Sequence, residues 1–594
     1  MKTVLVAINA KYIHTNLAVR YLYELAKQAG KAQVSFVEYT INQRPDQLLR
    51  ELYLQQADCL VFSCYIWNIN LVLELCEEFK KVSPQTRLVL AGPEVSYDSQ
   101  ALLEKHSFLD QILRGEGEAM WLPFLESLEH PNAISKVPSL TFRAENHTIQ
   151  ENPLAPAFDL SQLPFPYEDL EQLDGRILYF ESSRGCPFQC SYCLSSIEQG
   201  VRFLPLPQVF AAMDRFLAQR VRQVKFVDRT FNCKKSYALA IWRYLAEHDN
   251  GVTNFHFEIA GELLDKECLE FLQTVRKGQF QFEVGVQSTN ETTLASITRK
   301  TNSEKLLEIC QCVDQIGNIH LHLDLIAGLP WEDAASFARS FDQVFAIRPQ
   351  QLQLGFLKVL KGSAIHRQAA QWEITASSRA PYEVLSTRWL SFRDLLSLKE
   401  VEEMVENFYN SGRFSNLLEA ILPCYESPFT LFAQLGAYYT KQGHHLVSHS
   451  KEQYYEILRD FCLENGLGFP AEWEQLALLD LCLHEKPKKL PKFLSLEQLS
   501  SHKDWNSNFY ENPENIQTYL PDYLGEHPRR LAKITHLQWF PFALVPSGSN
   551  SRTYSAQPGE TAVLFDYGTN LRNLTGRAYM QILFTVTGKE STSC

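Results

Sequence analysis

Cys186, Cys190 and Cys193 stand at C-x3-C-x2-C spacing within Ser182-Ser183-Arg184-Gly185-Cys186-Pro187-Phe188-Gln189-Cys190-Ser191-Tyr192-Cys193, close enough to serve one ligand site. Fe–S clusters are normally held by four Cys, so a compact triplet leaves one iron open to a small molecule. Zinc is a rival, but structural zinc closes its shell with four ligands in paired elements, and no His or Cys follows until Cys233. Inert core thiols are the third reading. Gly185 permits close backbone approach, and Pro187 stiffens the turn.

The elements around this loop have a clear pattern. Short strand-like runs at residues 177–181, 223–228, 254–259, 280–286, 320–326 and 351–356 are each followed by helix-forming sequence. Repeated strand–helix units predict a parallel barrel, here with six strands and therefore open. Active sites of such barrels lie at the C-terminal strand ends. The cysteine loop follows the first strand, and Asp228, Glu258, Gln287 and Gly328 sit at the same end of others. Polar residues converging from separate strands carry more weight than any one of them.

Ahead of the barrel, strand-like runs at 3–8, 33–39, 59–64, 87–91 and 111–114 alternate with helical stretches at 17–26, 47–55 and 69–80. That alternation predicts an α/β, doubly wound parallel sheet over residues 1–145, Rossmann-like in build. Ligands of such sheets bind outside the carboxyl ends of the strands. No G-x-G-x-x-G follows the first strand, which argues against a dinucleotide. Pro153, Pro156, Pro164 and Pro166 mark residues 146–169 as a semi-rigid linker. The barrel is expected over 170–375. Residues 376–594 read as a mainly helical C-terminal domain with strand-like runs at 534–545 and 562–566, covering the barrel and helping to choose a substrate.

A chain of 594 residues needs about three cores. Its net charge of −13 argues against a dedicated nucleic-acid binder. The apolar run at 3–8 is too short for a membrane span or signal segment. The 14 Cys point to a reducing cytoplasmic location, with Cys59, Cys64, Cys76, Cys310, Cys312, Cys424, Cys462 and Cys482 expected in the core.

The cysteine run, with Tyr192 just before its third thiol, resembles the signature of the radical S-adenosylmethionine (SAM) enzymes. E-x-G-x-Q-S at residues 283–288 and L-I-x-G-L-P at 325–330 resemble strand-end motifs of the subgroup that joins a cobalamin domain to the radical barrel. A-G-P-E at 91–94 and R-G-E-G-E at 114–118 resemble its cobalamin domain. The resemblance implies that Cys186, Cys190 and Cys193 bind three irons of a [4Fe–4S] cluster, with SAM on the fourth. Glu258 and Gln287 would lie near the SAM ribose and methionine. Tyr192 and the backbone around Ile326 and Gly328 would meet adenine, and Asp228 and Glu283 would line the pocket floor as catalytic groups. Ser63, Tyr65, Gly92, Pro93, Glu94 and Gly115 would border a corrin. The D-x-H-x-x-G motif that supplies a cobalt-ligating His in other cobalamin domains is missing, and His14 has the wrong spacing, so cobalt without a protein His is expected.

The implied activity is reductive SAM cleavage followed by methylation or rearrangement of an unactivated carbon, with cobalamin as second cofactor. The substrate is expected to be a small molecule or peptide, and the electron donor a flavodoxin or ferredoxin. Two alternatives compete. One is a tRNA methylthiotransferase-like enzyme whose second cluster would need Cys59, Cys64 and Cys76; the other is a non-catalytic corrinoid or redox sensor.

Overall fold

The computed structural model describes residues 1–144, 148–197, 200–494, 502–547, 552–568 and 576–587. The chain opens on a seven-stranded sheet of β1 (Thr3–Asn9), β2 (Val34–Thr40), β3 (Cys59–Ser63), β4 (Arg87–Ala91), β5 (Gln111–Leu113), β6 (Leu140–Arg143) and β7 (Ile149–Glu151). Their order is β2-β1-β3-β4-β5-β6-β7. The first five are parallel and the last two antiparallel. Helices cover both faces, so β1 is buried along its whole length. Val4, Val6 and Ile8 pack into one core and Leu5 and Ala7 into the other, as expected of a central parallel strand. The order reverses between β1 and β3, the place where such sheets bind ligands. The β6–β7 hairpin carries the sheet beyond residue 145; residues 145–147 lie outside the described residues.

The barrel strands are β8 (Ile177–Phe180), β11 (Gln223–Phe226), β12 (Asn254–Ile259), β13 (Phe280–Gln287), β14 (His320–Ala327) and β15 (Gln351–Phe356). Between β8 and β11 lies a small antiparallel pair, β9 (Ser183–Arg184) and β10 (Arg202–Phe203). The six barrel strands pair in parallel in sequence order. In β13 burial alternates along Phe-Gln-Phe-Glu-Val-Gly-Val-Gln. Phe280, Phe282, Val284 and Val286 enter the core, while Gln281, Glu283, Gly285 and Gln287 face the lumen, as a period of two requires. Phe226, Phe257, Phe282 and Trp242 form one aromatic group on the core side. Each such buried ring contributes roughly 1.5–3 kcal/mol.

Among the described residues β8 and β15 do not pair, so the barrel is open. Its two exposed edges are covered differently. The Ile177 N–H of β8 donates to the Ile13 carbonyl of the first domain at 2.8 Å. On β15, Asn410 accepts from Leu352 N–H and donates to Leu352 C=O, both at 2.9 Å. Each cover satisfies backbone groups that an open edge would expose. The proline-rich connection is also anchored. Tyr167 is buried, accepts from the Tyr179 N–H and donates to its carbonyl, each at 2.8 Å.

After a two-stranded piece of β16 (Thr375–Ala376) and β17 (Val384–Ser386), helices dominate from Phe392 to His484. The helix Ala471–His484 is buried at every position from Gln475 to Leu483, because it lies between the helical layer and a terminal antiparallel sheet. That sheet is β18 (Thr535–Ser547), β19 (Thr553–Asp566) and β20 (Tyr579–Thr587). The expected runs at 534–545 and 562–566 fall in the first two strands, except that Ile534 ends the preceding helix, and the third strand was not foreseen. Two of the expected core thiols are exposed, Cys312 and Cys424; the other six are buried. No helix among the described residues is long and apolar enough to cross a membrane.

Candidate active site

The cysteine loop leaves β8 at the C-terminal end of the barrel. Its base is held by Asp228, which is buried at 1% exposure. The Asp228 carboxylate accepts Ser182 N–H at 2.9 Å and the Ser182 and Ser183 hydroxyls at 2.6 Å each. Burial pushes this carboxyl up to about 7 against those three bonds. Asp228 therefore positions the loop from beneath, and its oxygens are committed to that task. Gly185 has φ +99°, and a Cβ there would stand 2.2 Å from the Gly200 carbonyl, so this turn admits only glycine. Ser191 closes the far side, with its N–H on Ile297 O at 2.9 Å and its carbonyl accepting Ile365 N–H at 2.8 Å.

Cys186 and Cys193 are half-buried and Cys190 is buried. Arg299 reaches the loop from the segment after β13: Nη1 lies 3.8 Å from Cys190 Sγ, and Nη2 donates to the Gly285 carbonyl. Burial raises the Cys190 thiol, and this guanidinium opposes the rise. Gln287 has φ +70° and a buried Oε1 without a partner. A Cβ on Gly285 would meet its Nε2 at 2.1 Å, so Gly285 leaves the space that the Gln287 side chain occupies. Glu332, fully buried, accepts Ser288 Oγ at 2.5 Å and Ser340 Oγ at 3.2 Å, tying the two strand-end motifs together. Burial lifts its carboxyl to about 7. Gly328 has φ +92°, and a Cβ there would strike Val384 at 2.7 Å. Ile326, one strand position before Ala327, faces the lumen half-buried.

Below this rim the lumen is polar. Register places Glu258, Glu283 and His322 side by side on β12, β13 and β14. Glu283 Oε2 accepts His256 Nε2 at 2.8 Å and Lys225 Nζ at 3.0 Å. Burial raises the Glu283 carboxyl, but these two donors outweigh it and hold the group below its ordinary range. Glu258, 3.8 Å from Lys225, is raised by burial.

In the first domain Ser63 ends β3, and Tyr65 stacks on Trp67 with centroids 4.3 Å apart and planes at 8°. Gly92 has φ +111°. Ser96 Oγ donates to the Gly92 carbonyl at 2.8 Å and accepts Gly115 N–H at 3.1 Å, so the loops after β4 and β5 are tied together at the strand ends. Pro93 opens the turn that carries Glu94, which does not face a free space. Its carboxylate accepts the Tyr382 hydroxyl and lies 3.6 Å from Lys361 Nζ, both from beyond the barrel. The R-G-E-G-E segment turns toward the barrel too. Glu118 accepts Arg184 at 2.8 and 3.2 Å, Glu116 pairs with Arg202, and Glu181 accepts Arg184 at 2.7 and 2.9 Å. Arg184 thus joins the first domain to the cysteine loop. His14 is tied to the barrel by Nδ1 at 2.7 Å from the Tyr179 hydroxyl.

The cysteines needed for a second cluster are not together. Cys59 packs in the core on one face of the first sheet, whereas Cys64 and Cys76 pack in the core on the other. All three are fully buried, and burial pushes the Cys59 thiol up to about 12.

Residues 3–121 match the B12 binding domain, residues 180–344 the radical SAM superfamily, and residues 370–565 a protein family of unknown function, DUF4080. The chain therefore carries a match to a B12 binding domain followed by a match to a radical SAM domain. The chain is 26% identical over 310 residues to the cobalamin-dependent radical SAM methyltransferase TokK of Streptomyces tokunonensis, covering 48% of this chain and 44% of that one. It is 25% identical over 329 residues to the hopanoid C-3 methylase of Methylococcus capsulatus, covering 53% and 61%. The chain thus spans about half the length of the curated relatives it matches. Among solved structures, the cobalamin-dependent SAM radical enzyme OxsB with aqua-cobalamin bound aligns over 79% of this chain and 76% of its own, with TM-score 0.58 at 14% identity. The radical SAM methyltransferase TsrM of Kitasatospora setae aligns over 64% and 79%, with TM-score 0.51 at 16% identity.

A radical SAM domain calls for a [4Fe–4S] cluster and SAM, and a B12 domain for cobalamin. The residues fit these groups. Three thiols from one glycine-dependent loop, free of disulfides, give the donor set of a cluster with an open iron. The unpartnered Gln287 Oε1 at the strand ends is a polar atom in want of a ligand. The stacked Tyr65 and half-exposed Trp67 give the first sheet a flat aromatic surface at its strand ends. Arg299 and Glu332 are two site residues that the motifs did not single out. Glu332 stands two residues after L-I-x-G-L-P, which was the available signal for it, whereas Arg299 lies a helix beyond E-x-G-x-Q-S and nothing in the sequence marked it.

Proposed function

We propose that this chain is a cobalamin-dependent radical SAM enzyme that methylates an unactivated carbon of a polar small molecule or peptide. The reading rests on one observation above the others: the Arg184 cluster joins the strand-end loops of the cobalamin domain directly to the cluster-binding loop. When bound, the cluster, SAM and cobalamin supply radical initiation and the methyl group. The chain's own residues then have separable tasks. Cys186, Cys190 and Cys193 hold the cluster, and Asp228 fixes the loop that carries them. Gln287, Glu258 and the backbone at Ile326 and Gly328 hold SAM, with Tyr192 beside them. Ser63, Tyr65, Gly92, Pro93 and Gly115 border the corrin, while Glu94 braces that surface against Tyr382 and Lys361. Glu283 lines the lumen below, held ionised by His256 and Lys225. Residues 376–594 cover the β15 edge and shape substrate access. A cytoplasmic setting and a flavodoxin or ferredoxin donor suit a reducible cluster.

The test supplies the anaerobically reconstituted enzyme with reductant, trideuteromethyl-SAM and a cytosolic extract. Formation of 5'-deoxyadenosine together with S-adenosylhomocysteine and a trideuteromethylated product supports the reading. Formation of 5'-deoxyadenosine without S-adenosylhomocysteine would replace methyl transfer by rearrangement, and neither product would point to the sensor.

A further inference from the structure

The lumen holds a second group of donors that the cysteine loop does not explain. Glu283 on β13 and His322 and Asp324 on β14 each offer one ligand atom, and these atoms lie within 4.8 Å of one another. Strand geometry makes this possible: His322 and Asp324 are two residues apart and share the lumen face, and register sets His322 against Glu283. The set is buried. His322 is 5% exposed, and its Nε2 has no hydrogen-bond partner although Asp324 Oδ1 stands 2.9 Å away. Asp324 Oδ1 is likewise buried without a hydrogen bond. On Glu283, both His256 and Lys225 fall on Oε2.

His322 Nε2 and Asp324 Oδ1 pair at 2.9 Å when that nitrogen carries a proton; without it both are buried acceptors facing each other and need a cation between or beside them. Lys225 and Arg229 offset two of the three carboxylates Glu258, Glu283 and Asp324, the first at 3.8 Å or less and the second through Glu258. One negative charge is left, to be met by a proton on His322 or by a cation. An imidazole and two carboxylates form a donor set suited to zinc, manganese or ferrous iron rather than to soft copper(I). Three protein ligands also leave coordination positions open, as in catalytic rather than structural sites.

We propose that Glu283, His322 and Asp324 bind a first-row divalent metal ion in the barrel lumen, separate from the cysteine-held cluster, with its open positions available to oxygen ligands of the substrate. His256 and Lys225 are positioning residues that fix the Glu283 carboxylate.

Binding is measured with Mn2+ and Zn2+ alone on the full-length chain, by equilibrium titration and by Mn2+ magnetic resonance. One ion per chain is expected, with nitrogen coupling from a single imidazole. His322→Gln and Asp324→Asn, both close in shape to the native residues, should each weaken binding by at least about tenfold. A Cys186→Ala, Cys190→Ala, Cys193→Ala variant should keep the ion, which separates this site from the cluster. No Mn2+ or Zn2+ bound at saturating excess would overturn the proposal, leaving a proton on His322 as the counter-charge. Binding that persists unchanged in both H322Q and D324N, or that lacks imidazole coupling, would also overturn it as adventitious. Thermal melts of the two variants without metal establish that they are folded before either result is read.

Discussion

Replacing Arg184 by Met tests whether one guanidinium holds the cobalamin domain to the cluster loop. Its side chain is 18% exposed, and those of Glu118, Glu181 and Glu116 are 8%, 12% and 13% exposed. The guanidinium makes paired bonds to Glu118 and to Glu181 and lies 3.4 Å from Glu116. Arg184→Met keeps most of the volume but leaves Glu118 and Glu181 without their cation, while Glu116 keeps Arg202. Removing one partner from a buried ion cluster costs about 3–5 kcal/mol, because the remaining charges stay desolvated. At about 2–4 °C per kcal/mol for a domain of this size, the melting temperature should fall by roughly 10 °C. The intact cluster is not itself worth that much, since desolvation cancels most of its attraction. Arg184→Met combined with Glu118→Gln and Glu181→Gln should therefore recover most of the loss. Anaerobic thermal melts of the three proteins decide the matter. A drop under about 2 °C for R184M, or a triple variant as unstable as the single, would refute the reasoning.

Other consequences are equally direct. Glu332 has a buried, unpartnered Oε2 and a carboxyl raised to about 7, above the ordinary 4.5. Its contribution to stability is therefore full below about pH 4.5 and declines as pH rises through 7. Glu332→Gln should be the more stable protein at pH 8 by up to about 3 kcal/mol and lose that advantage near pH 5; a pH-independent difference in melting temperature would contradict this. Gly185→Ala should prevent the loop from closing, because of the positive φ and the 2.2 Å approach to Gly200 O, and give substoichiometric iron on reconstitution. Asp228→Asn keeps an acceptor for the two hydroxyls but sets an amide donor against Ser182 N–H, costing about 1–3 kcal/mol. Its cluster should bleach faster in air than that of the wild type, as followed by visible absorbance.

The barrel and the first sheet were legible because their strands are apolar runs bounded by polar strand ends, and β1 and β13 carry their periods openly. The short β6–β7 hairpin offered too few residues for a period. β19 opens on Thr-Tyr-Ser-Ala-Gln-Pro-Gly-Glu and shows its apolar pattern only from Ala562. The three cysteines declared themselves by spacing. Asp228, Glu94 and the R-G-E-G-E glutamates did not declare their roles, because their partners Ser182, Tyr382 and Arg184 are fixed by tertiary packing. Strand-end position was readable from the sequence, but the direction each carboxylate faces was not. His14 shows the same limit: its spacing argued against a cobalt ligand, yet only the fold reveals its bond to Tyr179.

The central claim is that one chain holds a cysteine-bound cluster and a corrin on facing domains. Anaerobic reconstitution with iron, sulfide and hydroxocobalamin, followed by gel filtration, iron analysis and visible spectroscopy, tests it most directly. The account requires that about four irons and one corrin co-elute with the wild-type chain, and that Cys186→Ala, Cys190→Ala and Cys193→Ala each lose the cluster while retaining the corrin. Full iron content in any one of these variants, or a wild-type chain that elutes without corrin, would contradict it.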